Sequence, residues 1–273
     1  MQWKPKVVVV FDSGVGGLTV LSELKKHNIK EEFVYLADSA NSPYGDKTKE
    51  QIIINVLNCF KQLSNLYEFK AIIIACNTAA VYTKELLQHV YNIPVFSVTD
   101  AATNYIKLNN INQTIDVLST NLTAKSHAYK NNLPNHFVRE IGCPSFVPLI
   151  ESHRYFSQLE RYHTVANQLT GLSTENGKYV VLGCTHYPLL EEEIKRFYGN
   201  QVFIINPSKI LGEDVSQVFN ERSEQFKVIY YQTGSNEYFN SFASRIMEEN
   251  VHSLLLTARI REVQEQTSYL EAN

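Results

Sequence analysis

Residues 71–79 read AIIIACNTA, and residues 179–187 read YVVLGCTHY. Each stretch is an apolar, β-branched run, then a small residue, a cysteine and polar groups at the start of a helical pattern. A strand without polar alternation is buried on both faces, as in a parallel sheet covered by helices. Upstream, Val7–Phe11 (VVVVF) and Phe33–Leu36 (FVYL) read as strands of the same kind, and Val95–Val98 as a fourth. Thr19–Lys26 shows helical periodicity. Thr48–Leu66 is a longer amphipathic helix, opened by Thr48 with Gln51 three residues on. A further helix starts from about Thr78. Strand–helix alternation of this sort predicts a doubly wound α/β domain.

The pattern restarts downstream. Thr114–Leu118, Tyr179–Leu182 and Val202–Ile205 read as strands, Phe226–Tyr231 as one more, and Asn236–Glu249 as a helix after it. The chain therefore divides near 99 and again near 206. Residues 1–98 with 207–273 make one α/β domain, and 99–206 the other. Cys76 and Cys184 stand about one small domain apart, each at the carboxyl end of a strand, where α/β sheets bind ligands. The polar tail after Thr257 reads as a docked helix or a frayed end.

The bulk properties fit. With 273 residues, the chain has room for two modest domains and a real core. Its 25 basic and 28 acidic residues give a net charge of −3, which argues against a dedicated nucleic-acid binder. A hydrophobic fraction of 44% excludes a disordered chain. Four cysteines are too few for a secreted disulfide scaffold. The first apolar run is too short for a signal core, and no run of about 18 apolar residues occurs. The expectation is a cytoplasmic protein with reduced thiols and no membrane or nucleic-acid partner.

Several residues can carry chemistry. Asp12-Ser13-Gly14-Val15-Gly16-Gly17 leaves a strand and enters a helix, and its glycines let backbone N–H groups face an anion. It lacks the spacing of the dinucleotide fingerprint and the lysine of Walker A. Cys59, inside an amphipathic helix, and Cys143, in a Gly-Cys-Pro turn, read as small buried hydrophobes. Cys76 and Cys184 instead precede helices, where the helix dipole lowers a thiol pKa.

Cys76, Cys184 and His186 are of a type zinc takes, but no C-x₂-C pair is present and the Cys184–His186 spacing is unusual for zinc. A Cys-His hydrolase is another option, which leaves the second cysteine idle. Two thiols across a cleft also suit removal of an α-proton from one face of an amino acid and its return on the other. Asp12 and His186 would then tune their respective thiols. Loops at Asp38–Gly45 and Thr120–Thr123 follow strands and read as ligand-orienting. Glu151, after FVPLI, reads as a surface carboxylate as readily as a functional one.

Taken in order, FDSGVGGLTV, PYG, ACNTA, VPLIE, LGCTHYPLL and YYQTG resemble the motifs of glutamate racemases, members of the cofactor-independent two-cysteine racemase family. The resemblance runs from about Val7 to Met247. It implies two flavodoxin-like doubly wound parallel-sheet domains related by a pseudo-twofold axis, with the site in the cleft between them. It implies interconversion of L- and D-glutamate without pyridoxal phosphate, metal or other cofactor, with the D-glutamate feeding bacterial peptidoglycan.

By the same resemblance, Cys76 acts on the proton of the D-enantiomer and Cys184 on that of the L-enantiomer. Asp12 and His186 assist them, with Glu151 on the His186 side. Ser13, Pro43, Tyr44, Gly45, Asn77, Thr78, Thr120, Thr123 and Thr185 match substrate-contacting positions, and a homodimer is expected. Three stretches depart from the family pattern: Val98–Ala102, the ADSANSPYG loop, and Asn206-Pro207-Ser208. The His186-Tyr187-Pro188 segment argues against aspartate as substrate. The remaining alternatives are a racemase for another amino acid, a binding protein on a racemase scaffold, and the hydrolase.

Overall fold

A computed structural model describes residues 4–152, 156–172, 177–199, 201–222, 225–235 and 237–262. Its strands are β1 (Lys6–Asp12), β2 (Glu32–Ala37), β3 (Glu68–Ile74), β4 (Val95–Ser97), β5 (Thr114–Ser119), β6 (Val138–Gly142), β7 (Gly177–Gly183), β8 (Phe203–Ile205), β9 (Lys227–Gln232) and β10 (Ser253–Leu255). They form two sheets, ordered β10-β9-β2-β1-β3-β4 and β6-β5-β7-β8. Every pairing within these sheets is parallel. The protein thus consists of two parallel-sheet α/β domains.

Both faces of the first sheet are covered, which is why its strands carry no polar alternation. Val8 and Val10 join one apolar cluster with Tyr35 and Ile73. Val7, Val9 and Phe11 join the other with Leu36 and Ile74. The second sheet splits likewise, with Leu118 and Leu182 on one side and Val117 and Val181 on the other. Each such aliphatic side chain contributes about 1.5–3 kcal/mol on burial.

The two sheets share an arrangement. β2-β1-β3-β4 and β6-β5-β7-β8 have the same relative order, and a register shift falls at the start of the central pairing in both, at Val7/Val8 and at Thr114/Ile115. Cys76 follows β3 and Cys184 follows β7, so the two cysteines occupy equivalent places. The chain leaves the first sheet at Ser97 and returns after Ile205. Both crossings enter helices with side-chain caps: Ser97 Oγ accepts from the Asp100 amide, and Asn206 Oδ1 from the Ser208 amide at 3.0 Å.

Some sequence expectations shift. Val98 belongs to the helix Val98–Leu108 and not to the preceding strand, because Ser97 caps that helix. The helix after Cys76 is Asn77–Tyr91, one residue longer at its start than expected. The long helix is Lys49–Leu63, opened by the Thr48–Gln51 capping box. β6 and β10 were not foreseen. Residues 256–262 are helical, with Leu256 buried and Ile260 packed beside it; the rest of the tail lies outside the described residues.

Candidate active site

The site starts at the end of β1. Asp12 is fully buried, and its Oδ1 accepts from the Gly14 amide at 2.8 Å. Its Oδ2 accepts from the Thr185 hydroxyl at 3.2 Å, which joins the two domains. Burial raises the Asp12 pKa. His186, the Gly14 and Gly17 amides and Thr185 pull it back without cancelling the rise.

The glycines here serve close approach. A Cβ on Gly16 would stand 2.4 Å from both His186 Nδ1 and Thr185 Oγ1, and one on Gly17 would stand 2.5 Å from Asp12 Cβ. The sequence reading gave these glycines to an anion cradle. In the fold, His186 and Thr185 fill the space that Gly16 leaves.

Cys76 caps the helix Asn77–Tyr91. Its Sγ accepts from the Ala79 amide and donates to Ser13 Oγ, both at 3.5 Å. The helix amide and Ser13 favour the thiolate, but burial and the Asp12 charge prevail, and the thiol is pushed up to about 12. The dipole expected to lower this thiol's pKa is thus outweighed by burial and the Asp12 charge.

Cys184 has a different neighbourhood. It leads into a 3-10 turn, Tyr187–Leu190, whose N-cap is His186, so unlike Cys76 it does not itself cap a helix. Its Sγ lies 3.8 Å from His186 Nδ1. The other ring nitrogen, Nε2, lies 2.6 Å from Glu151 Oε1. Burial opposes protonation of His186. The hydrogen bonds and charges of Cys184 and Glu151 overcome it, and the imidazole pKa is held well above its ordinary value. Burial alone would raise Glu151, but the hydrogen bond and charge of His186 lower it. Glu151 is thus half-buried and paired with His186, which sets aside the surface-carboxylate alternative of its two readings.

One cavity is lined by Ser13, Pro43, Tyr44, Gly45, Cys76, Asn77, Thr78, Thr120, Glu151, Cys184, Thr185 and His186. Two further lining residues, Ser42 and Val147, were not named as site residues from the sequence. Ser42 precedes the PYG motif, and Val147 opens VPLIE. Asp12 stands behind this wall, bonded to Thr185. Thr123 does not line the cavity; its hydroxyl meets those of Thr78 at 3.0 Å and Thr120 at 3.1 Å, closing a hydroxyl seam between the domains. Tyr129, also missed, donates to Asn77 Oδ1 at 2.7 Å across the same seam.

Among the described residues, no lysine or arginine lines this cavity. Among the described residues, no group of three or more His, Cys, Asp or Glu is placed to hold a metal ion. Cys59 and Cys143 are buried away from the cavity, and burial pushes both thiols up.

Two thiols open onto one buried cleft, one beside a carboxylate and the other beside an imidazole favoured as its cation. Such a site is equipped for acid–base proton transfer at a carbon held between them. The comparisons agree with that class. Residues 19–212 match the Asp/Glu/Hydantoin racemase family. The chain is 33% identical to a glutamate racemase of Lysinibacillus sphaericus, over 90% of this chain and 97% of that one. A crystal structure of a glutamate racemase isoform from Bacillus anthracis superposes with a TM-score of 0.82 at 30% identity, covering 93% of this chain and 98% of that one. A Francisella tularensis glutamate racemase solved in complex with D-glutamate gives a TM-score of 0.79 at 29% identity, covering 92% and 96%. The chain belongs to the Asp/Glu/Hydantoin racemase family.

Proposed function

We propose that the protein interconverts L- and D-glutamate by a two-base mechanism without a cofactor. The observation that carries this reading is the placement of Cys76 and Cys184 at equivalent strand ends on one cavity, each with its own charged partner. With L-glutamate bound, the Cys184 thiolate, paired with the His186 imidazolium, takes the α-proton. The C–H electron pair passes to the α-carbon as a carbanion, and the Cys76 thiol returns a proton on the opposite face. The reverse reaction exchanges the roles. Hydroxyls of Ser13, Thr78, Thr120 and Thr185 and the Asn77 amide hold the substrate's carboxylates and ammonium. A wall whose described residues include no lysine or arginine leaves a thiolate free to act as base.

On this reading, residues 1–98 with 207–273 form one domain, 99–206 the other, and the substrate sits in the cleft between them. The protein works in the cytoplasm as a homodimer and supplies D-glutamate to peptidoglycan synthesis. No described helix is long and apolar enough to cross a membrane.

The test is circular dichroism and proton NMR of D-glutamate with purified protein in D₂O, no cofactor added. Loss of optical activity with deuterium entering the α-position is the expected result. Unchanged glutamate of both enantiomers would refute the reading, and turnover of aspartate instead would reassign the substrate.

A further inference from the structure

Two motifs stand outside the chemistry above: the loop that opens with Asp38, and the QTG turn at Gln232–Gly234. One buried carboxylate joins them. Asp38 follows β2 and is fully buried. Its Oδ2 accepts from the Tyr44 hydroxyl at 2.6 Å. Its Oδ1 accepts from the Thr233 hydroxyl at 2.6 Å and from Asn41 Nδ2 at 3.0 Å. Its own amide donates to the Asp12 carbonyl at 2.9 Å, at the end of β1. Among the described residues no lysine or arginine forms a salt bridge with it, so neutral donors hold this carboxylate.

The surroundings leave that carboxylate little freedom. The Thr233 amide donates to the Ala37 carbonyl at 3.0 Å, and Ser39 Oγ donates to the Gly234 carbonyl at 2.6 Å. A Cβ on Gly234 would stand 2.9 Å from Ala40 Cα, so glycine lets the two turns meet. Tyr44 is buried with its ring 6.4 Å from that of Phe11, and it belongs to the Pro43–Gly45 segment that lines the cavity. Neither Asp38 nor Thr233 lines the cavity.

We propose that Asp38 is a positioning residue of this site: its carboxylate clamps the Pro43–Gly45 rim, through Tyr44, to the Gln232–Gly234 turn. The rim then meets the substrate in a fixed shape, and substrate binding depends on Thr233, a residue outside the cavity. The kinetic part of this inference rests on the glutamate reading; the structural part does not.

The test compares Thr233→Val, Thr233→Ser and Tyr44→Phe with the native chain, because Asp38→Asn alone could fail to fold. The first readout is hydrogen–deuterium exchange over residues 39–47 without substrate. Loss of one charge-assisted hydrogen bond is expected to speed exchange there by about tenfold in Thr233→Val and Tyr44→Phe. Thr233→Ser, which keeps the hydroxyl, restores the native rate. The second readout is a KM for D-glutamate raised by about tenfold in the same two variants, with kcat within about threefold.

Unchanged exchange in both hydroxyl-less variants overturns the proposal. So does a rise spread evenly over the whole chain, or a fall in kcat at constant KM. A native chain inactive on glutamate would sink the functional reading, while the exchange experiment would still decide the clamp.

Discussion

Replacing Glu151 by Gln probes the charge that holds His186 protonated. The amide keeps an acceptor for Nε2, which lies 2.6 Å from Oε1, and removes only the negative charge. Charge centres about 4 Å apart interact with about 4 kcal/mol at an effective dielectric of about 20. The Glu151 side chain is 33% exposed against 7% for His186, so solvent screening reduces this to about 2 kcal/mol. Its loss moves the His186 pKa downward. The assay is a pH titration of the histidine Cε1–H signals by NMR, with the His186 signal identified among eight by its loss in His186→Gln.

The sign also fixes a stability window. His186 has a raised folded pKa, so its contribution is complete below the ordinary 6.5 and fades as pH rises through the folded value. Glu151 has a lowered one, so its contribution is complete above the ordinary 4.5 and fades as pH falls through the folded value. The native chain should therefore exceed Glu151→Gln in stability most between about pH 4.5 and 6.5. The alkaline limb of kcat/KM should move to lower pH in the variant, equally for both enantiomers, because kcat/KM for the two directions is tied by the equilibrium constant. A His186 midpoint that stays put or moves up in the variant would refute the reasoning.

Gly16→Ala places a Cβ where His186 and Thr185 now stand; kcat/KM should drop at least about a hundredfold with an unchanged far-ultraviolet spectrum. Tyr129→Phe removes the hydroxyl that orients Asn77, and KM should rise about five- to tenfold in both directions, read by initial rates with each enantiomer. Cys143→Ala should leave kcat and KM within about twofold while costing about 1 kcal/mol of unfolding free energy in urea, as expected of a small buried side chain.

The central strands were legible because burial on both faces writes an uninterrupted apolar run into the sequence. The edges were not. β6 (VREIG) is half-exposed along its length and carries Arg139 and Glu140, and β10 has three residues, so neither shows a usable period. The paired cysteines were legible because each sits between a strand and polar residues. Their electrostatics were not: whether a thiol is raised by burial or paired with an imidazole depends on residues far along the chain. The bonds made by Asp38, Thr233 and Tyr129 were hidden for the same reason. Their partners lie 195 residues away for Asp38–Thr233 and 52 away for Tyr129–Asn77, and no local pattern records such a bond.

The chain passes between the sheets twice, at Ser97 and at Asn206, and the helices that begin at these crossings pack against each other. Two covalent tethers side by side act as the spine of a book. They permit the sheets to swing apart about one line and resist twisting or sliding. Cys76 and Cys184, which follow strands of different sheets, are thereby held to one relative placement on the cavity they share. A single tether would leave that alignment to be found anew in every catalytic cycle.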